Sequence, residues 1–158
     1  MSLKITPLSL NELEILQEMI REFAEYEKMQ NTLECTKEKL EENLLKNKFA
    51  NAFLLKENEN FIGYMIYFYT FSSFLGNGGI YIEDIYIRKE FRKKGYGRAV
   101  FKFLGQICKE KNLKRLDWVC LKDNFLGINF YESLNAKELN EWKNYRLSGE
   151  NLNKLCDL

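Results

Sequence analysis

The apolar positions change period along the chain, and the changes mark out its elements. After a short extended piece at residues 3–7, Ser9-Leu10-Asn11-Glu12 has the form of a capping box. Leu13, Leu16, Ile20 and Phe23 then share one face of a helix expected to run to about Lys28. Residues 29–35 read as a loop, and Thr36 as the N-cap of a second helix that uses Leu40, Leu44 and Leu45. From Asn51 the pattern is that of strands. Residues 51–56 and 61–71, rich in aromatic and β-branched side chains, form a hairpin across the polar turn Glu57-Asn58-Glu59-Asn60. Gly76-Asn77-Gly78-Gly79 turns the chain again into a strand at residues 80–87, completing an antiparallel meander.

Helical spacing returns with Val100, Phe103, Leu104, Ile107 and Cys108, and that helix should end near Asn112. Residues 114–120 are expected to form a strand covered on both sides. Asp123 and Asn124 can cap a short helix at residues 125–134, with Asn135 suited to a left-handed turn behind it. Residues 136–147 read as extended chain and 150–156 as a last helical piece. The order β-α-α-β-β-β-α-β-α-β predicts an α/β (α+β) fold on a mixed sheet. At 158 residues, 46% hydrophobic and 15% aromatic, the chain fits a single domain over 1–158, without repeat or linker.

Charge narrows the partners. With 24 basic and 23 acidic residues the net charge is +1, which gives no global attraction to nucleic acid or an anionic membrane, so electrostatic recognition must be local. Cys35, Cys108, Cys120 and Cys156 stand far apart, no histidine is present, and no metal site is expected. They read as reduced thiols. The N-terminal residues lack a secretory pattern and no stretch has membrane-spanning length, so a cytoplasmic protein is expected. Without histidine, Ser-His and Cys-His catalysis are excluded, which leaves Glu, Asp, Tyr, Lys or backbone groups.

One stretch carries local charge. Arg92-Lys93-Lys94-Gly95-Tyr96-Gly97 lies between the strand at 80–87 and an amphipathic helix, and its glycines let backbone amides approach an anion at the helix start. Arg92, Lys93, Lys94 and Arg98 surround it with positive charge, so a pyrophosphate is a natural guest. A capped loop with solvated charges has the same pattern.

Three landmarks occur in order: Glu83-Asp84-Ile85-Tyr86-Ile87, the Arg92-x-x-Gly95-x-Gly97 turn, and Asn124 followed by Asn129-Phe130-Tyr131-Glu132. With them the chain resembles the GNAT superfamily of N-acetyltransferases over nearly its whole length. The resemblance implies a mixed central sheet of about six to seven strands, splayed at the cofactor site and flanked by helices, with acetyl-CoA as cosubstrate. The implied cofactor residues are the backbone of Ile85, Tyr86 and Ile87, the segment Arg92, Lys93, Lys94, Gly95, Tyr96, Gly97 and Arg98, and Asn124 and Tyr131.

Glu25-Tyr26-Glu27-Lys28-Met29, Tyr81-Ile82-Glu83-Asp84, Ile128-Asn129-Phe130-Tyr131 and Tyr145-Arg146-Leu147 resemble the spermidine/spermine (diamine) branch. This implies Glu83 as a base working through water and Tyr131 as the acid that protonates the departing thiolate. It also implies a bulge that lets Glu83 and Asp84 serve one substrate. Tyr26, Glu27, Glu83, Asp84 and Tyr145, with Glu25, would make an acidic, aromatic mouth for a small primary amine. Gln30 and Asn31 stand where that branch tends to carry further acids, so a short diamine or a lysine-like amine fits at least as well as a long polyamine. A homodimer is implied too. Two further readings stay open: acetylation of a protein or peptide amine, and a CoA-binding regulatory module without turnover.

Overall fold

Glu12 reaches back to accept the Ser9 N–H at 3.0 Å, so the capping box closes and a 3-10 turn leads into α1, Leu13–Tyr26. The computed structural model describes residues 2–158, which divide into two units, Met1–Trp118 and Val119–Leu158. In the first unit, β1 (Leu3–Pro7) precedes α1. Thr36, accepting from the Lys39 N–H at 3.2 Å, caps α2 (Lys37–Leu40), which continues as a π-helical turn over Glu41–Lys46. The meander follows as β2 (Asn51–Glu57), β3 (Asn60–Ser72) and β4 (Asn77–Ile87), then α3 (Tyr96–Glu110) and β5 (Leu116–Asp117).

The sheet order is β1-β2-β3-β4-β5, antiparallel except for the β4–β5 pair. Alternation along the strands feeds two cores. Leu54, Tyr64, Ile66 and Tyr86 join Leu13, Leu16 and Met19 of α1 on one face. Leu55, Met65, Tyr67, Ile80 and Ile82 join Tyr96, Val100 and Leu104 of α3 on the other.

Two expectations need correction. The strand expected at 114–120 is Leu116–Asp117 alone, paired at Ile80 and Tyr81, because β4 leaves its register just beyond Tyr81. The extended chain expected at 136–147 forms no strand. Its apolar residues Leu139, Trp142 and Tyr145 recur every third position, which gives no single sheet face, and all three are exposed. Five strands therefore stand among the described residues where six to seven were expected; the mixed α/β class is as predicted.

The second unit contains α4 (Phe125–Glu132) and α5 (Gly149–Asn153). Asn135 takes the left-handed conformation (φ 62°) expected of it behind α4. Among the described residues, no helix is long and apolar enough to cross a membrane.

Candidate functional site

The register of β4 builds one side of the site. Ile66 of β3 faces Asp84, while its neighbour Tyr67 faces Ile82, so Glu83 is an extra residue and forms the bulge that the resemblance implied. Regular alternation would send Asp84 toward α3. The extra residue instead keeps Ile80, Ile82, Ile85 and Ile87 all on the α3 face and turns Asp84 to the α1 face beside Tyr64 and Tyr86. Glu83 itself is exposed at the bulge.

Asp84 is half-buried, and its Oδ2 accepts a hydrogen bond from the Tyr64 hydroxyl at 3.1 Å. Burial pushes the Asp84 carboxyl up to about 6; the Glu83 and Glu27 charges act in the same direction, and the Tyr64 hydrogen bond opposes them. Tyr64 is fully buried, which holds its phenol well above the usual range, and the Asp84 charge adds to this. Glu27, the C-cap of α1, is raised by its own burial. Cys35, packed against the same core, has its thiol raised chiefly by burial. Among the described residues, Glu27, Glu83 and Asp84 form no ion pair with a lysine or arginine. Three carboxyl groups thus gather without a counter-charge. Glu25 and Tyr26 are exposed at the adjoining end of α1.

The neighbouring polar group is balanced. Arg88 holds Glu22 in a fork, Nη2 to Oε1 at 2.6 Å and Nε to Oε2 at 3.0 Å, and reaches Glu18 at 2.7 Å. Tyr86 donates to the same Glu22 at 3.1 Å. This cluster ties α1 to the end of β4.

The basic turn forms the other side. Lys93 (φ 61°) and Gly95 (φ 85°) both take left-handed backbone, which brings the chain sharply into α3. The Ala99 N–H donates to the Gly95 carbonyl at 3.1 Å, closing the first helical turn over Tyr96, Gly97 and Arg98, and a helix directs its first amides along its axis. Lys93 and Arg98 are exposed there. Arg92 is turned away: its Nε donates to the Ile87 carbonyl at 2.8 Å, and its guanidinium lies 4.5 Å from the centre of the Tyr26 ring and 5.9 Å from that of Tyr86. Lys94 approaches Glu57 at 3.9 Å, and the Tyr96 hydroxyl donates to the same carboxylate, a contact that raises the phenol to about 12. Beyond Tyr81, no strand among the described residues pairs with the β4 edge that β5 leaves, and Ile85, Tyr86 and Ile87 lie in that part of β4.

In the second unit, the Asn124 Oδ1 accepts from the Gly127 N–H at 3.0 Å and so caps α4. Tyr131 sits half-buried on the last turn of that helix, its ring 5.6 Å from Phe130. Tyr145 is 90% exposed. The first unit therefore brings together Glu27, Glu83 and Asp84, and separately places Arg92 on Tyr26. Tyr64 and Glu57 are not among the site residues expected from the sequence; the isoleucine spacing in β4 is a signal that could have exposed the bulge and, through it, the face Asp84 shares with Tyr64.

Residues 13–136 match the acetyltransferase (GNAT) family. A thialysine N-epsilon-acetyltransferase of Caenorhabditis elegans is 33% identical over 147 residues, 91% of each chain. One of Sus scrofa is 28% identical over 150 residues, covering 87% of this chain and 88% of the relative. Among solved structures, an integron cassette protein from the mobile metagenome of V. cholerae superposes with a TM-score of 0.80 at 24% identity, over 100% of this chain and 99% of its own.

Proposed function

Since the chain belongs to the acetyltransferase (GNAT) family and is an N-acetyltransferase, we propose that it transfers an acetyl group from acetyl-CoA to a primary amine of a small cationic molecule. The observation that carries this is the cluster of Glu27, Glu83 and Asp84 without a basic partner, a receptor for a substrate ammonium. The thialysine acetyltransferases among its relatives point to a lysine-like amine or a short diamine.

Acetyl-CoA fits the residues present. The left-handed Gly95, the first turn of α3, and exposed Lys93 and Arg98 suit its pyrophosphate, with Lys94 and Arg92 flanking. The β4 edge at Ile85, Tyr86 and Ile87 suits the amides of its pantetheine arm, and Asn124 and Tyr131 are assigned to the cofactor by their place in the family motif. When bound it supplies an activated acetyl thioester.

The chain's own groups do the rest. Asp84 and Glu27 hold the substrate ammonium that is not acetylated, with Tyr26 as a ring face, and Tyr145 is assigned to the substrate by its place in the family motif. Glu83, exposed at the bulge, takes the amine proton through water, since direct contact with a carboxylate would favour the charged amine. A β4 amide polarises the acetyl carbonyl. Tyr131 protonates the departing thiolate. The amine attacks directly in a ternary complex, so no enzyme-bound acetyl group forms.

The family match, residues 13–136, begins in the first unit and extends into the second, which supports one catalytic domain over 1–158. A homodimer is proposed from the resemblance and from the exposed Leu139, Trp142, Tyr145 and Leu147. A cytoplasmic setting is supported by the four cysteines, which form no disulfide among the described residues.

The test offers purified protein and acetyl-CoA to putrescine, spermidine, spermine, lysine, thialysine and a lysine-containing peptide, with thiol release and product mass recorded. Turnover concentrated on a small amine is expected. Acetylation of the peptide alone would move the acceptor to protein amines, and tight acetyl-CoA binding with no product would make the chain a regulatory module.

A further inference from the structure

Two tyrosines face each other across β3 and β4, and their hydroxyls serve opposite purposes. Tyr64 and Tyr86 are directly paired in the ladder, with ring centres 6.0 Å apart, and both pack on Phe23 of α1. Tyr86 donates to Glu22, whose charge Arg88 already neutralises through two hydrogen bonds. That group is complete. Tyr64 donates to Asp84, which has no cation of its own and stands near two further carboxyl groups. This second group is electrically incomplete, although its donor is the more deeply buried of the two tyrosines.

Burying a phenol hydroxyl is unfavourable unless it finds a partner, and a phenylalanine would fill the same core without that demand. The hydroxyl meets Asp84 because the Glu83 bulge turns Asp84 onto the Tyr64 face. The Tyr64 hydroxyl engages Oδ2, and among the described residues Oδ1 accepts no further side-chain hydrogen bond.

We infer that Tyr64 is a positioning residue for the acceptor: its buried hydroxyl fixes the Asp84 carboxylate as the receptor of the substrate ammonium. This rests on the amine-acceptor reading above. The hydrogen bond also favours the ionised carboxylate against burial and against the charges of Glu83 and Glu27; the Cys35 thiol, the Tyr86 phenol and the Glu22–Arg88 pair are the other titratable and charged groups on that face.

Tyr64→Phe keeps the ring and removes the hydroxyl. The expected result is a KM for the amine raised roughly three- to tenfold, with kcat and the KM for acetyl-CoA changed less than about twofold. The acid limb of the amine kcat/KM profile should move to higher pH, because a group that stabilised the carboxylate is gone. Unchanged amine KM and an unmoved acid limb, whatever the loss of melting temperature, would leave Tyr64 a packing residue and overturn the inference. Asp84→Asn separates the two claims: if its amine KM equals that of the parent, the acceptor reading fails, whereas a raised KM there beside a silent Tyr64→Phe refutes the role of Tyr64 alone. If Tyr64→Phe does not fold, Asp84→Glu decides, since it keeps the charge and loses the position. Parent-like amine KM in Asp84→Glu would overturn positioning, and a rise of the same three- to tenfold order would support it.

Discussion

The Arg92 guanidinium lies over the Tyr26 ring at the end of α1, 4.5 Å from its centre, while its Nε donates to the Ile87 carbonyl at 2.8 Å. The first residue of the basic turn is thereby fastened to the wall of the proposed amine mouth. Lysine can supply the charge over the ring but not that contact and the Nε bond together. Arg92→Lys should therefore raise the KM for both acetyl-CoA and the amine, whereas Tyr26→Leu should raise the amine KM only. A double-mutant cycle of Arg92→Ala with Tyr26→Leu in urea unfolding should show a coupling of about 0.5–1 kcal/mol. Zero coupling would make the contact incidental.

Asp84 gives stability a pH dependence of unusual sign for an acidic residue. Its carboxyl, raised to about 6 by burial first and then by Glu83 and Glu27, binds a proton more tightly in the folded chain than in the unfolded one. Its contribution is complete below the unfolded value near 4 and is lost as pH rises through about 6. Asp84→Asn should then stabilise the fold at pH 7.5, on the order of 1–2 kcal/mol after allowance for solvent screening, with the gain fading toward pH 4. Thermal melts of both proteins across that range measure this. A gain independent of pH would point to packing rather than charge. A bound amine should shift the parent's melting upward most at pH 7.5, where the carboxylate is fully ionised.

Tyr131 is assigned its role from the motif on α4. A phenol, with an ordinary pKa of about 10, is protonated at neutral pH and can donate to a leaving thiolate. Tyr131→Phe should lower kcat by about 10²-fold or more and leave acetyl-CoA affinity within about twofold, measured by single-turnover kinetics and calorimetric titration. Parent-like turnover would assign that proton to solvent.

The helices and the meander were legible because each obeys one period and has local signals, such as Ser9 with Glu12 or Thr36 before Lys37. The bulge was legible in principle. Ile80, Ile82, Ile85 and Ile87 leave two residues between the second and third isoleucines, which a strand with one buried face can satisfy only by inserting a residue. Tyr64 was not legible, since among the aromatics of β3 nothing local tells a packing tyrosine from one aimed at a carboxylate 20 residues on. The turn was read as four charges around an anion. Arg92 and Lys94 engage Tyr26 and Glu57, contacts from α1 and β2 that no window around the turn contains. The strand expected at 114–120 was overread because its apolar residues serve the α3-side core, which does not require ladder hydrogen bonds along the whole segment.

Gly63 fixes how closely β3 and β4 approach beside this site. A Cβ built there would meet the Tyr86 carbonyl oxygen at 2.1 Å and the Ile87 Cα at 3.1 Å. Both are backbone atoms of the strand that presents Asp84, so no side-chain rotation can relieve the contact. Its backbone is not in the left-handed region, and the demand for glycine here is purely one of space. Gly63→Ala should therefore cost about 1–3 kcal/mol, seen as a lower urea midpoint at unchanged slope. The displaced β4 should also raise the amine KM, because Tyr64, the next residue, is paired with Tyr86 and bonded to Asp84. A stable Gly63→Ala protein with parent-like amine KM would mean that the two strands can part locally without moving the carboxylate.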